Sequence, residues 1–293
     1  MRPPARSAPY DGKVEWPSDS ITHRVEVEPG VELAVHEVGS GPPLLLIPGL
    51  GTDHHAFVWN ISDLAAFWRC LVLDQRGLGD SDATPGPYTM EQLAGDAAGV
   101  IAALAPGGAA VFGVSMGGMV AQQVAARHGE RVNSLILGCT GPGGRLAVRA
   151  DPEDTRLLLG GDARDPGMAY RVACQVLYER SFAGSHPEVI EDAVRWRATH
   201  PVRPGVFAAQ WSATRHHDIG PLLSRISVPT LLLHGTADRV MPAGNSSRLH
   251  QGIAGSVLEW LPGRGHMFFQ EDPATTLRLL RTFLDPRVAS GLR

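Results

Sequence analysis

Residues 109–129 read AAVFGVSMGGMVAQQVAARHG, an apolar segment that runs directly into an amphipathic one. At the junction lies the pattern G-x-S-x-G, in which Gly113 and Gly117 flank Ser115. A tight turn from a strand into a helix leaves no space for side chains beside its central residue, which accounts for the glycines. Such a turn places the Ser115 hydroxyl beside free N–H groups at a helix N-terminus, where an oxyanion is stabilised. The pattern also arises by chance in a chain with 34 glycines, but its flanking segments favour a nucleophile turn.

Similar apolar runs lie on both sides of this stretch. They predict buried strands at 42–49, 70–74, 109–114, 133–139 and 229–235, and a weaker one at 256–263. Apolar positions at helical spacing predict helices at 90–105, 116–129 and 274–284. Residues 22–38 alternate around Pro29-Gly30, which is typical of a β-hairpin. The alternation of strands and helices predicts an α/β protein with a mostly parallel central sheet flanked by helices.

The alternation is interrupted between residues 141 and 220, where the sequence gives helical patterns and no convincing strand. We therefore predict a loose N-terminal arm over 1–20, a core formed by 21–140 and 221–293, and a helical cap over 141–220. The loop that leaves the carboxyl end of a parallel strand emerges on the side where ligands bind. The cap is thus expected to lie over Ser115.

Composition excludes several classes of protein. The chain has 293 residues, 43% of them hydrophobic, and a net charge of −4, which argues against disorder and against a nucleic-acid or anionic membrane surface as the main partner. Three cysteines, Cys70, Cys139 and Cys174, have no CxxC spacing, so a disulfide framework or a zinc site is not expected. The N-terminal residues lack the apolar stretch of a signal peptide, and no apolar run reaches the length of a membrane span. We expect a cytoplasmic protein, with homo-oligomerisation left open.

A serine is a weak nucleophile without a base and an acid that orients the base. Asp238 follows a predicted strand in LLLHGTADRVMP, and His266 lies in PGRGHMFFQEDP just before the last predicted helix. In α/β proteins whose nucleophile lies at such a strand-to-helix turn, the expected chain order is serine, acid, histidine, and Ser115, Asp238 and His266 follow it. Asp238 alternatively serves only to form a turn, and a single histidine among 12 is often a surface or core residue.

An oxyanion hole needs two backbone donors. One is predicted to be the N–H of Met116, the residue after the nucleophile. The other is expected in Pro48-Gly49-Leu50-Gly51, which follows a predicted strand. The N–H of Leu50 is the first choice for this donor and that of Gly51 the second.

The chain resembles the α/β-hydrolase superfamily over residues 22–285. The motifs that carry this resemblance are PGLGTD (48–53), DQRGLGDSD (74–82), GVSMGGMVAQ (113–122), HGTADRVMP (234–242) and GRGHMFFQEDP (263–273). The motifs LGTD and SMGGMVAQ, together with HHD at 216–218, are most similar to the 3-oxoadipate enol-lactonase-like branch of esterases and lactonases. The family usually has His-Gly where this chain has Pro48-Gly49, so polar contacts from that histidine are absent. The resemblance implies the α/β-hydrolase fold with a helical cap.

Other polar and aromatic residues are weaker candidates. His54 and His55 closely follow residues 48–51, the predicted oxyanion loop, and either line the predicted substrate pocket or face solvent. Aromatic residues of the cap region are expected either to pack in its core or to contact substrate: Tyr178, Phe182, Trp196, Phe207 and Trp211. Of these, Tyr178, Phe182 and Trp211 join His54 as tentative substrate contacts. Asp74 and Arg76 are interpreted as structural, and Asp218 as an anchor where the cap returns to the sheet.

These residues predict a serine hydrolase that cleaves an ester, lactone or thioester of a small molecule, with no metal or cofactor. A carbon–carbon bond hydrolase, a cofactor-free perhydrolase or a biosynthetic tailoring enzyme would use the same three residues, so these alternatives stay open. A non-catalytic receptor for a small ligand is a further alternative on this scaffold. Hydrolysis of simple chromogenic esters separates the receptor from the enzymes.

Overall fold

A computed structural model describes residues 14–285. Within these residues one sheet has eight strands, in the spatial order β1-β2-β4-β3-β5-β6-β7-β8. The strands are β1 Ile21–Glu28, β2 Val31–Val38, β3 Pro43–Ile47, β4 Arg69–Leu73, β5 Ala109–Val114, β6 Val132–Gly138, β7 Thr230–Gly235 and β8 Val257–Leu261. The hairpin β1–β2 is antiparallel and joins β4 in antiparallel pairing, whereas the strands from β4 to β8 pair in parallel. The predicted α/β class is confirmed.

The connections contain eleven α-helices in the described part of the chain. They are α1 Ile61–Ala65, α2 Met90–Leu104, α3 Met116–Arg127, α4 Pro152–Leu158, α5 Pro166–Leu177, α6 Arg180–Ser185, α7 Pro187–Thr199, α8 Pro204–His216, α9 Gly244–Gly252, α10 Phe268–Glu271 and α11 Pro273–Leu284. Short 3-10 helices lie at His54–Phe57, Gly129–Arg131, Gly144–Leu146 and Gly220–Arg225. Polar side chains fix the start of several helices: Thr89, Asp165 and Asp272 each accept a hydrogen bond from a backbone N–H of the first turn.

Both faces of the sheet are buried, which explains the unbroken apolar runs of its central strands. In β3, Leu44 and Leu46 belong to one apolar cluster and Leu45 to the other. Helices α2 and α3 cover the face of Leu45, and α1, α10 and α11 contribute side chains to the opposite cluster. Because successive side chains point to opposite faces of a strand, a strand covered on both sides has no polar position.

The stretch predicted as a cap contains helices α4 to α8 and, among residues 141–220, no strand of the sheet. Its two ends meet at one place. Gly143 and Asp218 form an isolated antiparallel bridge, the N–H of Ile219 donates to Pro142 O at 3.0 Å, and the N–H of Gly144 donates to His217 O at 2.9 Å. The chain therefore leaves the sheet region and returns to it through neighbouring backbone segments.

The predicted arm over 1–20 falls partly outside the described residues, which begin at 14. Its described part is not detached from the protein, because Val14 and Trp16 pack against the core. The Trp16 ring lies 4.8 Å from that of His54, edge to face. An indole brings a large apolar area to such a contact, so the prediction of a loose arm is wrong at Val14 and Trp16.

None of the helices formed by residues 14–285 is long and apolar enough to cross a membrane.

Candidate active site

Ser115 lies at the turn between β5 and α3. Its backbone has φ 55° and ψ −121°, a region that costs free energy for a residue with a side chain. The turn admits only glycine on both sides: a Cβ on Gly113 would lie 2.2 Å from Gly117 O, and one on Gly117 would lie 2.1 Å from Ile47 O. The G-x-S-x-G spacing is thus a requirement of backbone packing around the serine.

Asp238 and His266 come together from two loops at the carboxyl ends of neighbouring strands, β7 and β8. The Asp238 Oδ2 atom lies 2.8 Å from Nδ1 of His266. The other carboxylate oxygen, Oδ1, accepts hydrogen bonds from the N–H groups of Val240 and Met241, each at 2.8 Å. A carboxylate held in this way fixes both the orientation of the imidazole and the proton on its Nδ1.

A second histidine, His234, also contacts the carboxylate, and the sequence analysis did not identify it. Its Nε2 lies 3.1 Å from Asp238 Oδ2 and 2.7 Å from Met241 O. Because a carbonyl only accepts, this nitrogen carries a proton. Burial alone would raise the pKa of Asp238, but the charges and hydrogen bonds of His266 and His234 outweigh it and lower that pKa to about 2. The signal in the sequence was the histidine of LLLHGTAD, four residues before the aspartate.

This pKa predicts a loss of stability in acid. The pKa of Asp238 is lower in the folded protein than its usual value of 3.8, so the unfolded chain binds the proton first as the pH falls. We expect the stabilisation to be present above about pH 4 and lost towards pH 2, and to amount to about 2 kcal/mol. Urea unfolding of the wild type and of Asp238→Asn at several pH values measures it. Equal pH slopes for the two proteins would contradict the prediction.

The two predicted oxyanion donors, the N–H groups of Met116 and Leu50, belong to residues that border the same cavity as Ser115. Met116 is the first residue of α3. The second-choice donor, the Gly51 N–H, is engaged by the Gln210 side chain, whose Oε1 accepts at 2.9 Å. The Thr52 N–H donates to Gly49 O at 3.3 Å. The N–H groups of Gly51 and Thr52 are thus both engaged, and Leu50 stays the predicted donor of this loop.

A cavity of about 1250 Å³ connects these groups. Its wall includes Ser115, His266, Leu50 and Met116 on the sheet side. On the opposite side it is lined by residues of α4, α5, α7 and α8 and of the loop before α4. The helical stretch 141–220 and the candidate catalytic side chains therefore border one space, which is large enough for a small organic molecule.

The tentative aromatic contacts divide into two groups. Trp211 lines the cavity, but Tyr178 and Phe182 do not. The Tyr178 hydroxyl donates to Gln270 Oε1 at 2.5 Å, and the Phe182 ring stacks on Tyr178 with centroids 5.8 Å apart. Both residues are almost fully buried, so their assignment as substrate contacts is wrong and their role is in packing between the cap region and the last helices.

His54 is also directed away from the cavity. Its backbone N–H donates to Asp74 Oδ1 at 2.7 Å, and its Nδ1 lies 3.0 Å from the same oxygen. Asp74 is fully buried and lies 2.9 Å from Nε2 of His36 as well. The carboxylate outweighs the effect of burial and raises the pKa of His54. His54 is therefore part of a buried hydrogen-bonded cluster, and its assignment to substrate is corrected.

The remaining expectations concern structural residues. His55 is outside the main cavity, and its Nε2 lies 3.0 Å from Oδ2 of Asp192. Arg76 is fully buried and pairs with Asp96 at 2.6 Å, as expected of a structural residue. Asp218 lies at the bridge where the cap stretch ends and also borders the cavity.

Several residues of the cavity wall were not singled out by the sequence analysis or were left undecided there. Phe207 contacts the oxyanion loop, because a Cβ on Gly51 would lie 2.9 Å from its ring. Tyr170, Arg197 and His217 also border the cavity, and burial lowers the pKa of His217 to about 4, so that it is neutral near pH 7. Helical periodicity marks such positions as inward-facing, but it does not say which of them reach a cavity.

Comparison with known proteins identifies a family and relatives that resemble this chain. A sequence profile for the alpha/beta hydrolase fold matches residues 42–273. The 2-hydroxy-6-oxo-2,4-heptadienoate hydrolase of Pseudomonas putida is 30% identical over 275 residues, which cover 89% of this chain and 95% of that protein. The profile match includes the whole stretch 141–220.

Two solved structures are similar over nearly their whole length. A thermophilic esterase from Thermogutta terrifontis has a TM-score of 0.77 and 29% identity, covering 92% of this chain and 99% of that one. The enol-lactonase from Burkholderia xenovorans has a TM-score of 0.76 and 26% identity, covering 89% of this chain and 99% of the other.

Proposed function

The chain belongs to the α/β-hydrolase family, and from this premise we propose that it is a serine hydrolase that cleaves an ester, lactone or thioester of a small molecule. The observation that carries the proposal is the Asp238–His266 hydrogen bond at 2.8 Å, with His266 and Ser115 in the wall of one cavity. A base oriented by a carboxylate, in the same cavity wall as a partly buried serine at a strained turn, is the arrangement that acyl transfer requires.

In the proposed acylation step, the Ser115 Oγ attacks the carbonyl carbon of the substrate while His266 takes the hydroxyl proton on Nε2. Asp238 stabilises the imidazolium that forms. The N–H groups of Leu50 and Met116 donate to the oxyanion of the tetrahedral intermediate. When the intermediate collapses, the bond to the leaving group breaks and His266 returns its proton to that group.

Deacylation repeats these roles with water as the nucleophile. His266 removes a proton from water, the resulting hydroxide adds to the acyl carbon, and collapse releases the acid and restores the Ser115 hydroxyl. The apolar part of the cavity wall, including Val114, Phe207 and Trp211, lowers the local dielectric constant. Preorganised donors stabilise an oxyanion more strongly in such surroundings.

Two measurements on the purified protein test the proposal. The protein should release 4-nitrophenol from short acyl esters, and a small fluorescent phosphonate should label it at Ser115, as located by peptide mass spectrometry. Labelling at another residue, or ester cleavage that the phosphonate does not inhibit, would overturn the assignment of the nucleophile. Binding of the esters with no turnover would instead favour a non-catalytic receptor.

The cap region should control which substrates are accepted. Trp211 lines the cavity, so Trp211→Ala removes part of the substrate wall and leaves Ser115 and His266 in place. We expect the ratio of kcat/KM between long and short acyl esters to change by about tenfold, which corresponds to about 1.4 kcal/mol. The rate of labelling by a small phosphonate should change much less.

Phe67→Ala is the control, because Phe67 is an exposed aromatic residue between α1 and β4 and does not border the cavity. It should leave both the ester ratio and the labelling rate unaltered. A parallel loss of labelling and of all ester activity in Trp211→Ala would mean that Trp211 supports the site structurally and does not select the substrate.

A further inference from the structure

Arg197, near the end of α7, is a buried cation on the wall of the cavity. Only 8% of the residue is exposed, and it borders the same space as Ser115. Its guanidinium lies 5.6 Å from the centre of the Tyr170 ring, and one of its nitrogens, Nη1, donates to His200 O at 3.3 Å. Burial raises the pKa of the Tyr170 phenol, so Tyr170 is neutral near pH 7 and supplies no opposite charge.

No carboxylate oxygen of residues 14–285 lies within ion-pairing distance of Arg197. Two acids, Asp53 and Asp192, border a small adjoining cavity whose wall also includes Arg197. Both are already engaged: the Asp53 carboxylate accepts from the Trp196 indole at 3.0 Å, and Asp192 pairs with His55 at 3.0 Å. A buried guanidinium without an anionic partner is costly, because a carbonyl oxygen and an aromatic ring replace its lost water only in part.

The other charged residues of the cavity wall are mostly positive, like Arg197. Three further arginines border it and are exposed: Arg145, Arg149 and Arg215. None of them forms an ion pair with a described residue, and Asp218 is the one acidic side chain among the lining residues. The excess of positive charge is local, since the chain as a whole carries a net charge of −4. A cavity lined in this way raises the local concentration of anions.

We propose that Arg197 is the binding site for a carboxylate of the substrate, so that the preferred substrate is an ester, lactone or thioester carrying a second, free carboxylate. This inference rests on the proposed function for the role of Ser115 and adds the class of substrate. The planar guanidinium matches the two oxygens of a carboxylate and forms charge-assisted hydrogen bonds with them. The three exposed arginines attract the anion towards the opening, and Arg197 binds it inside.

Paired probes that differ only in charge test the proposal. They are the 4-nitrophenyl monoesters of adipate and suberate, each compared with the same compound methylated at its free carboxylate. Binding is measured by calorimetry on Ser115→Ala, in which the esters stay intact, and turnover is measured on the protein with Ser115 present. We expect at least one free acid to bind about tenfold or more tightly than its methyl ester.

Three variants at two positions locate this preference. Arg197→Met removes the charge with little loss of side-chain volume and should abolish the discrimination between free acid and methyl ester. Arg197→Lys keeps the charge but lacks the planar guanidinium, and it should retain part of the discrimination between free acid and methyl ester. Arg195→Met is the matched control: Arg195 lies on the same helix, is exposed and pairs with Asp192, and the variant should keep the full preference.

Failure of the inference and failure of the proposed function give different results. If neither free acid binds Ser115→Ala more tightly than its methyl ester, or if Arg197→Met keeps the preference, the carboxylate site is refuted whatever the turnover. If the free acids bind with the expected preference but no ester is hydrolysed, the carboxylate site stands and the proposed hydrolysis is wrong.

Discussion

Replacing the Ser115 hydroxyl by hydrogen is expected to leave a folded protein that has lost ester hydrolysis by a factor of about 10³ or more. In Ser115→Ala the base and the oxyanion donors remain, but no covalent intermediate forms. The backbone of the turn should be retained, because the bonds that hold it involve main-chain atoms: the Ser115 N–H donates to Gly138 O at 2.9 Å, and Ser115 O accepts from Gly118 N at 3.0 Å. Steady-state kinetics with a chromogenic ester measure the loss of activity, and a thermal unfolding curve measures whether the variant stays folded.

The control for this variant is Ser134→Ala, which removes a hydroxyl from β6 that donates to the neighbouring Asn133 O. It should keep wild-type kcat/KM. Turnover of Ser115→Ala near the wild-type rate would refute Ser115 as the nucleophile, whereas an unfolded Ser115→Ala would show that the hydroxyl contributes to the turn itself.

Asp238→Asn should reduce kcat/KM by about 10³-fold to 10⁴-fold. The reason is that the backbone N–H groups around this side chain fix which way the asparagine amide points. The N–H groups of Val240 and Met241 both donate to Oδ1, so the amide oxygen of an asparagine should occupy that position. Its NH₂ group then faces Nδ1 of His266. The imidazole is forced to accept there and to carry its proton on Nε2, the nitrogen that must receive the proton of Ser115.

The rate of phosphonate labelling should fall together with kcat/KM in this variant, because both depend on deprotonation of Ser115. Asp162→Asn is the control, since Asp162 is a fully exposed carboxylate. Activity of Asp238→Asn within tenfold of the wild type at pH 8 would show that Asp238 does not orient the base.

The order of strands and helices could be predicted from the sequence because the central strands are covered on both faces. Runs such as LLLI in β3 and LLL in β7 have no polar position to interrupt them, and the helices between them follow a regular apolar stripe. The arm was mispredicted at Trp16 because composition alone suggested a polar segment. Whether an indole close to the N-terminus packs against the core depends on a surface created by residues distant in the chain.

The candidate catalytic residues were identifiable because each lies in a motif with a local backbone requirement. The substrate contacts had no such signal. Tyr178 and Phe182 resemble Trp211 in the sequence, but they follow α5 where Leu177 O accepts from the Met267 N–H at 2.9 Å, which turns this segment towards the core. His54 follows the oxyanion loop as expected, yet Asp74 binds it from the end of β4. The burial of Arg197 likewise depends on how α7 packs against α5.

The meeting of the two ends of the cap stretch has a consequence for how this chain can evolve. Pro142 and Ile219, and Gly144 and His217, are joined by single backbone hydrogen bonds, so residues between them form a cassette with adjacent ends. Two recombination events at these ends can exchange the cassette for a shorter, longer or differently charged one without moving a strand of the sheet. The new cassette must replace several contacts with the core, among them the hydrogen bond that the Gly51 N–H donates to Gln210, the bond of Tyr178 to Gln270 and that of Trp196 to Asp53. The reaction chemistry is then inherited separately from the choice of molecule on which it acts.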